Sequence, residues 1–188
     1  MPEKLSTDVT KAWNEISEDI VMAAKAAGRI PKEITLMAVT KTVPPERVNE
    51  AIEAGCSLLG ENKVQELLEK YEYYDKRARI HFIGRLQTNK VKYIVDKVDM
   101  IESVDSIRLA EEIEKRCAAI GKIMDILLEV NIAEEESKGG FLYEEVPQIV
   151  EEIGRFSHIR LRGFMTIGRF GAVSIFSKNH AQSSIYTT

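Results

Sequence analysis

The first residue that could do chemistry is Lys41, which follows the apolar run "ITLMAVT" (34–40) and precedes Pro44 and Pro45. An amine that loses solvation at the end of a buried strand gives up its proton more readily and can then attack an aldehyde. The product is a Schiff base, formed with a carbonyl substrate or with pyridoxal phosphate. In the alternative interpretation the side chain simply extends into solvent. Position alone leaves both readings open.

Other polar side chains also follow apolar runs, and they are candidates for the same site. They are Glu61 with Asn62, Gly84 with Arg85, Ser103 with Asp105, Asn131 and Thr166. This set contains amides and hydroxyls but no Ser–His–Asp arrangement and no paired carboxylates. The chemistry that these residue types favour therefore centres on the lysine.

The elements that must position these residues alternate regularly between strand-like and helix-like patterns. Strands are predicted at 34–40, 57–62, 80–84, 100–104, 125–131 and 161–167. Helices are predicted at about 7–28, 45–55, 63–74, 88–98, 107–120 and 144–154, with the second opened by Pro44 and Pro45 and the fifth capped by Asp105 or Ser106 and ended by Gly121.

Strands that alternate with helices indicate an α/β fold with a parallel sheet, because parallel neighbours need crossover connections. Repeated right-handed crossovers favour a (β/α)8 barrel of the TIM type over an open sheet. Such a barrel has eight strands and usually about 250 residues, whereas only about six βα units are evident in this chain. After Gly171 no further helix–strand alternation is predicted, and the stretch is rich in serine and threonine.

Composition excludes several other classes of function. The formal net charge of -4 gives no electrostatic basis for nucleic-acid binding. Cys56 and Cys117 form no CxxC pair, and with three scattered histidines they predict neither a metal site nor a disulfide framework. No apolar run approaches the roughly 18 residues of a membrane helix. We therefore expect a reduced, cytoplasmic, soluble protein.

Six blocks of the sequence strengthen the case for the lysine. In chain order they are "AVTKTVPPERVNEAIEAG", "LLGENKVQELLEK", "IHFIGRLQTNKVKYI", "IESVDSIRLAEEIEKR", "LLEVNIAEEESKGGF" and "IRLRGFMTIGRFG". Together they closely resemble the pyridoxal phosphate homeostasis protein family, whose members are single-domain relatives of the barrel half of alanine racemase. The resemblance runs from about residue 7 to Gly171.

The resemblance implies a cofactor and a set of contacts for it. Lys41 takes the place of the family's Schiff-base lysine, and the cofactor is pyridoxal 5'-phosphate (PLP). The further cofactor-binding residues that it implies are Asn62, His81, Asn131, Met165 and Thr166. Three of these also have structural interpretations, since Asn62 could bond the backbone, His81 could be a satisfied core histidine and Met165 could fill the core.

The resemblance also implies a role and partners. Family members bind PLP without robust catalysis of their own, and they buffer or hand over this reactive aldehyde in vitamin B6 homeostasis. The implied partners are PLP itself and PLP-dependent apo-enzymes, with no nucleic acid and no membrane. We expect a monomer or weak dimer.

The chain departs from the family after Gly171. The family continues with two more βα units, which carry an "SMGMS"-like turn and an "R-I-G"-like strand end that hold the phosphate, and neither motif is present here. We therefore expect an incomplete PLP-binding βα-barrel domain over residues 1–171 and an atypical tail over 172–188. The tail reads like a truncation or a shifted reading frame.

Two alternatives remain at this point. One is a PLP- or Schiff-base-dependent enzyme of the racemase or aldolase kind, for which Glu61 and Asp105 are the only acid–base candidates at the strand ends. The other is a truncated remnant that binds the cofactor poorly.

Overall fold

The computed structural model describes residues 8–132 and 139–167, together with the backbone of 183–186. Within these residues the chain forms two compact units. The first contains residues 8–61 and 65–80, and the second contains residues 62–64 together with everything from 81 onwards. The predicted tail before residue 183 and the glutamate-rich loop at 133–138 lie outside the described residues.

The first unit consists of one long helix, one shorter helix, a short parallel strand pair and most of a third helix. Its elements are α1 (Val9–Ala26), β1 (Ala38–Val39), α2 (Pro45–Glu53), β2 (Leu58–Glu61) and α3 (Val64–Lys70). Pro45 opens α2 because proline at the first helical position loses no intrahelical hydrogen bond. β1 pairs with β2 in parallel, with Val39 opposite Gly60. The unit ends at the start of β3 (Arg79–Phe82), where the Arg79 amide donates to the carbonyl of Ser57.

The second unit is built on parallel strands that follow one another in chain order. Its elements after β3 are β4 (Met100–Val104), α4 (Ile107–Ile120), β5 (Met124–Glu129), α5 (Val146–Ile153), β6 (Ile159–Ile167) and β7 (Ser183–Tyr186). Each of the pairs β3–β4, β4–β5, β5–β6 and β6–β7 is parallel. The prediction of a parallel α/β fold is confirmed.

Helix α4 shows how the sequence encodes this packing. Leu109, Ala110, Ile113 and Cys117 recur at helical spacing, and all four are buried. The helix contacts β4, β5 and β6 through the second unit's core. Gly121 ends it in the left-handed conformation, with φ of 65°, which glycine adopts without steric cost. The predicted bounds of α4 and β4 are confirmed.

Three predictions about elements were wrong. The run 34–40 is a strand only at Ala38–Val39, and Val39 is 43% exposed rather than buried, because only these two residues pair with β2. The predicted helix at 88–98 is a 3₁₀-helix over Thr88–Tyr93, whose bonds close over three residues. A further strand, β7, lies in the stretch where none was predicted, because its backbone pairs with the edge of β6.

Candidate functional site

The structure places Lys41 two residues after β1, beyond the carboxyl end of the first strand. Its side chain is exposed, and within the described residues it makes no hydrogen bond or ion pair. Thr40, the residue before it, is buried, and its amide donates to the carbonyl of Gly60 over 3.0 Å. The amine therefore extends from a backbone that is anchored on β2.

A buried carboxyl group lies at the end of β2, beside this anchor. Glu61 has no solvent-exposed surface, and its Oε1 accepts hydrogen bonds from Thr40 Oγ1 at 2.6 Å and from Tyr74 Oη at 2.5 Å. Burial, followed by the hydrogen bond to Glu61, raises the pKa of Tyr74 well above its usual range, so the phenol stays protonated as a donor. Among the described residues, Glu61 Oε2 has no hydrogen-bond partner.

Removal of the Tyr74 hydroxyl is expected to destabilise the protein. Tyr74→Phe keeps the ring but takes one donor from the buried Glu61 carboxyl, and hydrogen bonds to such groups are worth about 2 kcal/mol. We expect the free energy of unfolding to fall by about that amount in urea denaturation. Tyr73→Phe is the matched control, because Tyr73 is exposed. An equal loss in both variants would show that the bond to Glu61 is not the cause.

The loop after Lys41 has an unusual backbone conformation. Thr42 has φ of 63°, and it is the one non-glycine residue with positive φ in the described part of the chain. A β-branched residue is strained in the left-handed region, and such residues persist only where their surroundings hold them. The Thr42 amide donates to the carboxylate of Glu66 on α3. This bond holds the loop in its strained form.

A glycine at position 42 is expected to relieve this strain. Thr42→Gly removes the Cβ that opposes the left-handed conformation, so we expect the free energy of unfolding to rise by about 1 kcal/mol. Thr42→Ala is the control, since it removes the hydroxyl but keeps the Cβ, and we expect no comparable gain from it. The check is the urea midpoint of the three proteins. A gain shared by both variants would attribute the effect to the hydroxyl.

In the second unit, the His81 side chain forms a hydrogen bond with a glutamate on the neighbouring strand. Its Nδ1 lies 2.5 Å from Glu102 Oε1, and both side chains are buried. The two residues lie on β3 and β4, which are paired. The geometry is that of the core histidine considered as the alternative, and the cofactor contact predicted for His81 stays a prediction.

Asn62 also lies in the second unit, where its backbone packs against Gly84. A Cβ added to Gly84 would lie 2.1 Å from the carbonyl oxygen of Asn62. The Gly84 carbonyl in turn accepts a hydrogen bond from Ser103 Oγ over 2.5 Å. Glycine at position 84 therefore lets the segments after β2, β3 and β4 approach one another.

The structure brings together the predicted residues at the ends of β5 and β6. The Val130 amide donates to the carbonyl of Met165 over 2.9 Å, and Asn131 follows directly. Met165 and Thr166 are both buried. The backbone amide of Asn131 donates a hydrogen bond to the carbonyl of Phe141. Asn131, two residues beyond β5, thus lies beside Met165 and Thr166 on the adjacent strand β6, whereas Lys41 belongs to the first unit.

Sequence reasoning missed Glu66, Lys70, Tyr74 and Glu129. The spacing of Glu66 and Lys70, four residues apart on a helix, was a usable signal for an ion pair, but nothing in the sequence marks Tyr74 as a partner of Glu61. Glu129, at the end of β5, is half-buried. Burial raises its pKa, and the nearby charge of Asp105 raises it further while that of Arg85 lowers it.

Comparison with known proteins identifies the family. The family of the alanine racemase N-terminal domain matches residues 21–183. A pyridoxal phosphate homeostasis protein of Aquifex aeolicus is 43% identical over 155 residues, which make up 82% of this chain and 68% of that protein. The chain belongs to the pyridoxal phosphate homeostasis protein family. The predicted family and the predicted fold class, that of the alanine racemase N-terminal domain, are both confirmed.

Two solved structures are similar to this family member. An unknown protein from Bifidobacterium adolescentis is 38% identical, with a TM-score of 0.81 over 86% of this chain and 70% of that one. PipY of Synechococcus elongatus, solved with PLP bound, is 28% identical, with a TM-score of 0.70 over 81% of this chain and 71% of that one.

The described residues contain neither a membrane-spanning helix nor a cluster of metal-ligand side chains. None of their helices combines the length and the apolar content that crossing a bilayer requires. Within the same residues, no group of three or more His, Cys, Asp or Glu side chains is placed to hold a metal ion.

Proposed function

We propose that this chain is a PLP-binding protein of vitamin B6 homeostasis, which holds PLP as a Schiff base on Lys41 without robust catalysis of its own. The observation that carries the proposal is the exposed Lys41 amine, which has no ion pair or hydrogen bond within the described residues, at the end of β1. The relatives are named for PLP homeostasis rather than for an enzymatic reaction. One similar structure contains PLP.

The donor chemistry at the end of β1 fits an aldehyde. A primary amine reacts with an aldehyde only when its nitrogen is accessible and unprotonated. Lys70, in the same unit, makes a useful contrast, because its Nζ donates to the Thr40 carbonyl and to Glu66 and its side chain is only 11% exposed. Of these two amines, Lys41 is the one free to react.

When bound, PLP would supply an aldehyde group, and the Lys41 nitrogen is the group of this chain that would hold it. The contribution of the chain is to present that nitrogen from a fixed backbone. The buried Thr40 side chain bonds Glu61, and the Thr40 amide bonds the carbonyl of Gly60. These contacts hold the residue before Lys41 while the lysine side chain itself reaches solvent.

The proposal extends to what the protein does with the cofactor. The exposed Lys41 amine would hold PLP where water can reach it, which would suit delivery to PLP-dependent apo-enzymes. We also propose that the protein is a monomer or a weak dimer. The cofactor contacts of Asn62, His81, Asn131, Met165 and Thr166 stay predictions.

The test is to add PLP to the chain, reduce with borohydride and locate the label by peptide mass spectrometry. We expect one adduct per chain, on Lys41. Labels scattered over surface lysines at low occupancy would overturn the proposal and favour the remnant. Turnover of an amino acid by the PLP-loaded chain would instead favour the racemase-like enzyme.

A further inference from the structure

The two peptide groups on either side of Lys41 are both bonded by side chains of α3. Lys70 Nζ donates to the carbonyl of Thr40 over 3.0 Å. The Thr42 amide donates to the carboxylate of Glu66. Glu66 and Lys70 lie one helical turn apart and form an ion pair with each other. We call this arrangement, with its two bonds to the loop, the Lys41 clamp.

The clamp is shielded from water. The side chains of Lys70 and Glu66 are 11% and 16% exposed, and Lys70 Nζ also lies 3.9 Å from the buried Glu61 Oε1. Hydrogen bonds from charged groups are stronger where water is excluded, whereas an exposed pair one turn apart on a helix contributes little. The placement of this pair therefore suits a task beyond stabilising α3, which has only seven residues.

Among the described residues, no polar partner fixes the direction of the Lys41 side chain. It has no hydrogen bond or ion pair within the described residues, so what is fixed is the direction in which the side chain leaves the backbone between Thr40 and Thr42. That backbone includes the strained Thr42, with φ of 63°. Without the bond to Glu66, Thr42 would relax to a negative φ and reorient the peptide group that follows Lys41.

We propose that Glu66 and Lys70 are positioning residues, which fix the backbone at Lys41 and so the direction in which its side chain leaves the main chain for reaction with an aldehyde. This inference rests on the proposed function of Lys41. It assigns no contact with the cofactor to either residue. Loss of the clamp should slow adduct formation on Lys41, while the same amine remains exposed.

The experiment compares three variants with the wild-type chain. Lys70→Met keeps the apolar stem but removes the donor to Thr40. Lys70→Arg keeps a cationic donor. The double variant Glu66→Lys with Lys70→Glu keeps an ion pair on α3, yet it places an ammonium group opposite the Thr42 amide and a carboxylate opposite the Thr40 carbonyl. A purely helix-stabilising pair tolerates this exchange, and the clamp does not.

The first readout is the rate at which PLP appears on Lys41 after borohydride trapping and peptide mapping. We expect about a tenfold lower rate for Lys70→Met and for the double variant, and a rate within about threefold of wild type for Lys70→Arg. Wild-type rates in Lys70→Met or in the double variant would overturn the inference. If the double variant does not fold, the comparison of adduct-formation rates between Lys70→Met and Lys70→Arg tests the inference. Equal rates in these two variants would overturn it.

The second readout needs no cofactor and follows hydrogen exchange of the Thr42 amide by NMR. We expect exchange to be about tenfold faster in both Lys70→Met and the double variant. Glu66 loses its ion-pair partner in the first, and the second has no carboxylate at position 66. Unchanged exchange would overturn the clamp. Absence of any Lys41 adduct from the wild-type chain would instead overturn the proposed function, so the two failures are distinguishable.

Discussion

Replacement of Lys41 by alanine is expected to abolish the stoichiometric PLP adduct, with a loss of at least about a hundredfold in trapped label at saturating cofactor. Alanine has no nitrogen that can form the bond. Lys41 is exposed and, within the described residues, unbonded, so the free energy of unfolding should change by no more than about 0.5 kcal/mol. The loss is then chemical rather than a consequence of unfolding. Borohydride trapping with intact-mass measurement checks it.

Two matched variants sharpen this experiment. Lys41→Arg keeps the positive charge but offers no neutral amine near neutral pH, so we expect it to behave as Lys41→Ala. Lys63→Ala removes another exposed lysine and should leave the adduct unchanged. If Lys41→Ala and wild type carry equal label, the adduct is nonspecific and Lys41 has no special part in it.

Replacement of Gly84 by alanine is expected to give the largest loss of stability. The added methyl group would meet the carbonyl oxygen, the carbonyl carbon and the Cα of Asn62 at 2.1, 2.7 and 2.7 Å. All three are backbone atoms, so no side-chain rotation can relieve the overlap, and strand-end segments must move apart. Overpacking of this kind costs about 3 kcal/mol. For a chain of this size that lowers the Tm by about 6–12 °C.

Gly139→Ala is the control for Gly84→Ala. A Cβ at position 139 would lie 3.4 Å from its nearest neighbour, Asp105 Oδ2, which is an ordinary contact distance. Its effect on Tm should therefore be small. If the Gly84→Ala variant has the same Tm as the wild type, the backbone at Asn62 moves aside without loss of stability. That result would contradict the close packing described for it.

Much of the fold could be predicted because the signals are local. Helix α4 has the predicted bounds of 107 and 120, since Ser106 precedes it, Gly121 follows it, and the apolar period between them is regular. β4 likewise has its predicted bounds. For both elements the information lies within a short contiguous segment.

The wrong predictions concern pairing and bond pattern, which the local sequence does not specify. The apolar run at 34–40 predicts a longer strand. A strand exists only where a partner strand pairs with it, and only two residues of this run, Ala38 and Val39, pair with β2. The 88–98 stretch has a helical period, and the amides of Val95 and Val98 do bond carbonyls four residues back. The amides of Lys90 and Ile94, however, bond carbonyls three residues back, so the first part of the stretch is a 3₁₀-helix. β7 forms because its backbone pairs in parallel with the edge of β6.

The features of the candidate site likewise fall into two groups, those that local sequence specifies and those that depend on packing. The sequence by itself determined that a lysine ends the first strand, that strands and helices alternate, and which family the blocks resemble. Only the tertiary structure decided what surrounds the lysine. The bond from Lys70 to Thr40 joins residues 30 apart, and the bond from Thr42 to Glu66 joins residues 24 apart. Period and capping are properties of neighbouring residues, whereas such contacts depend on how the elements pack.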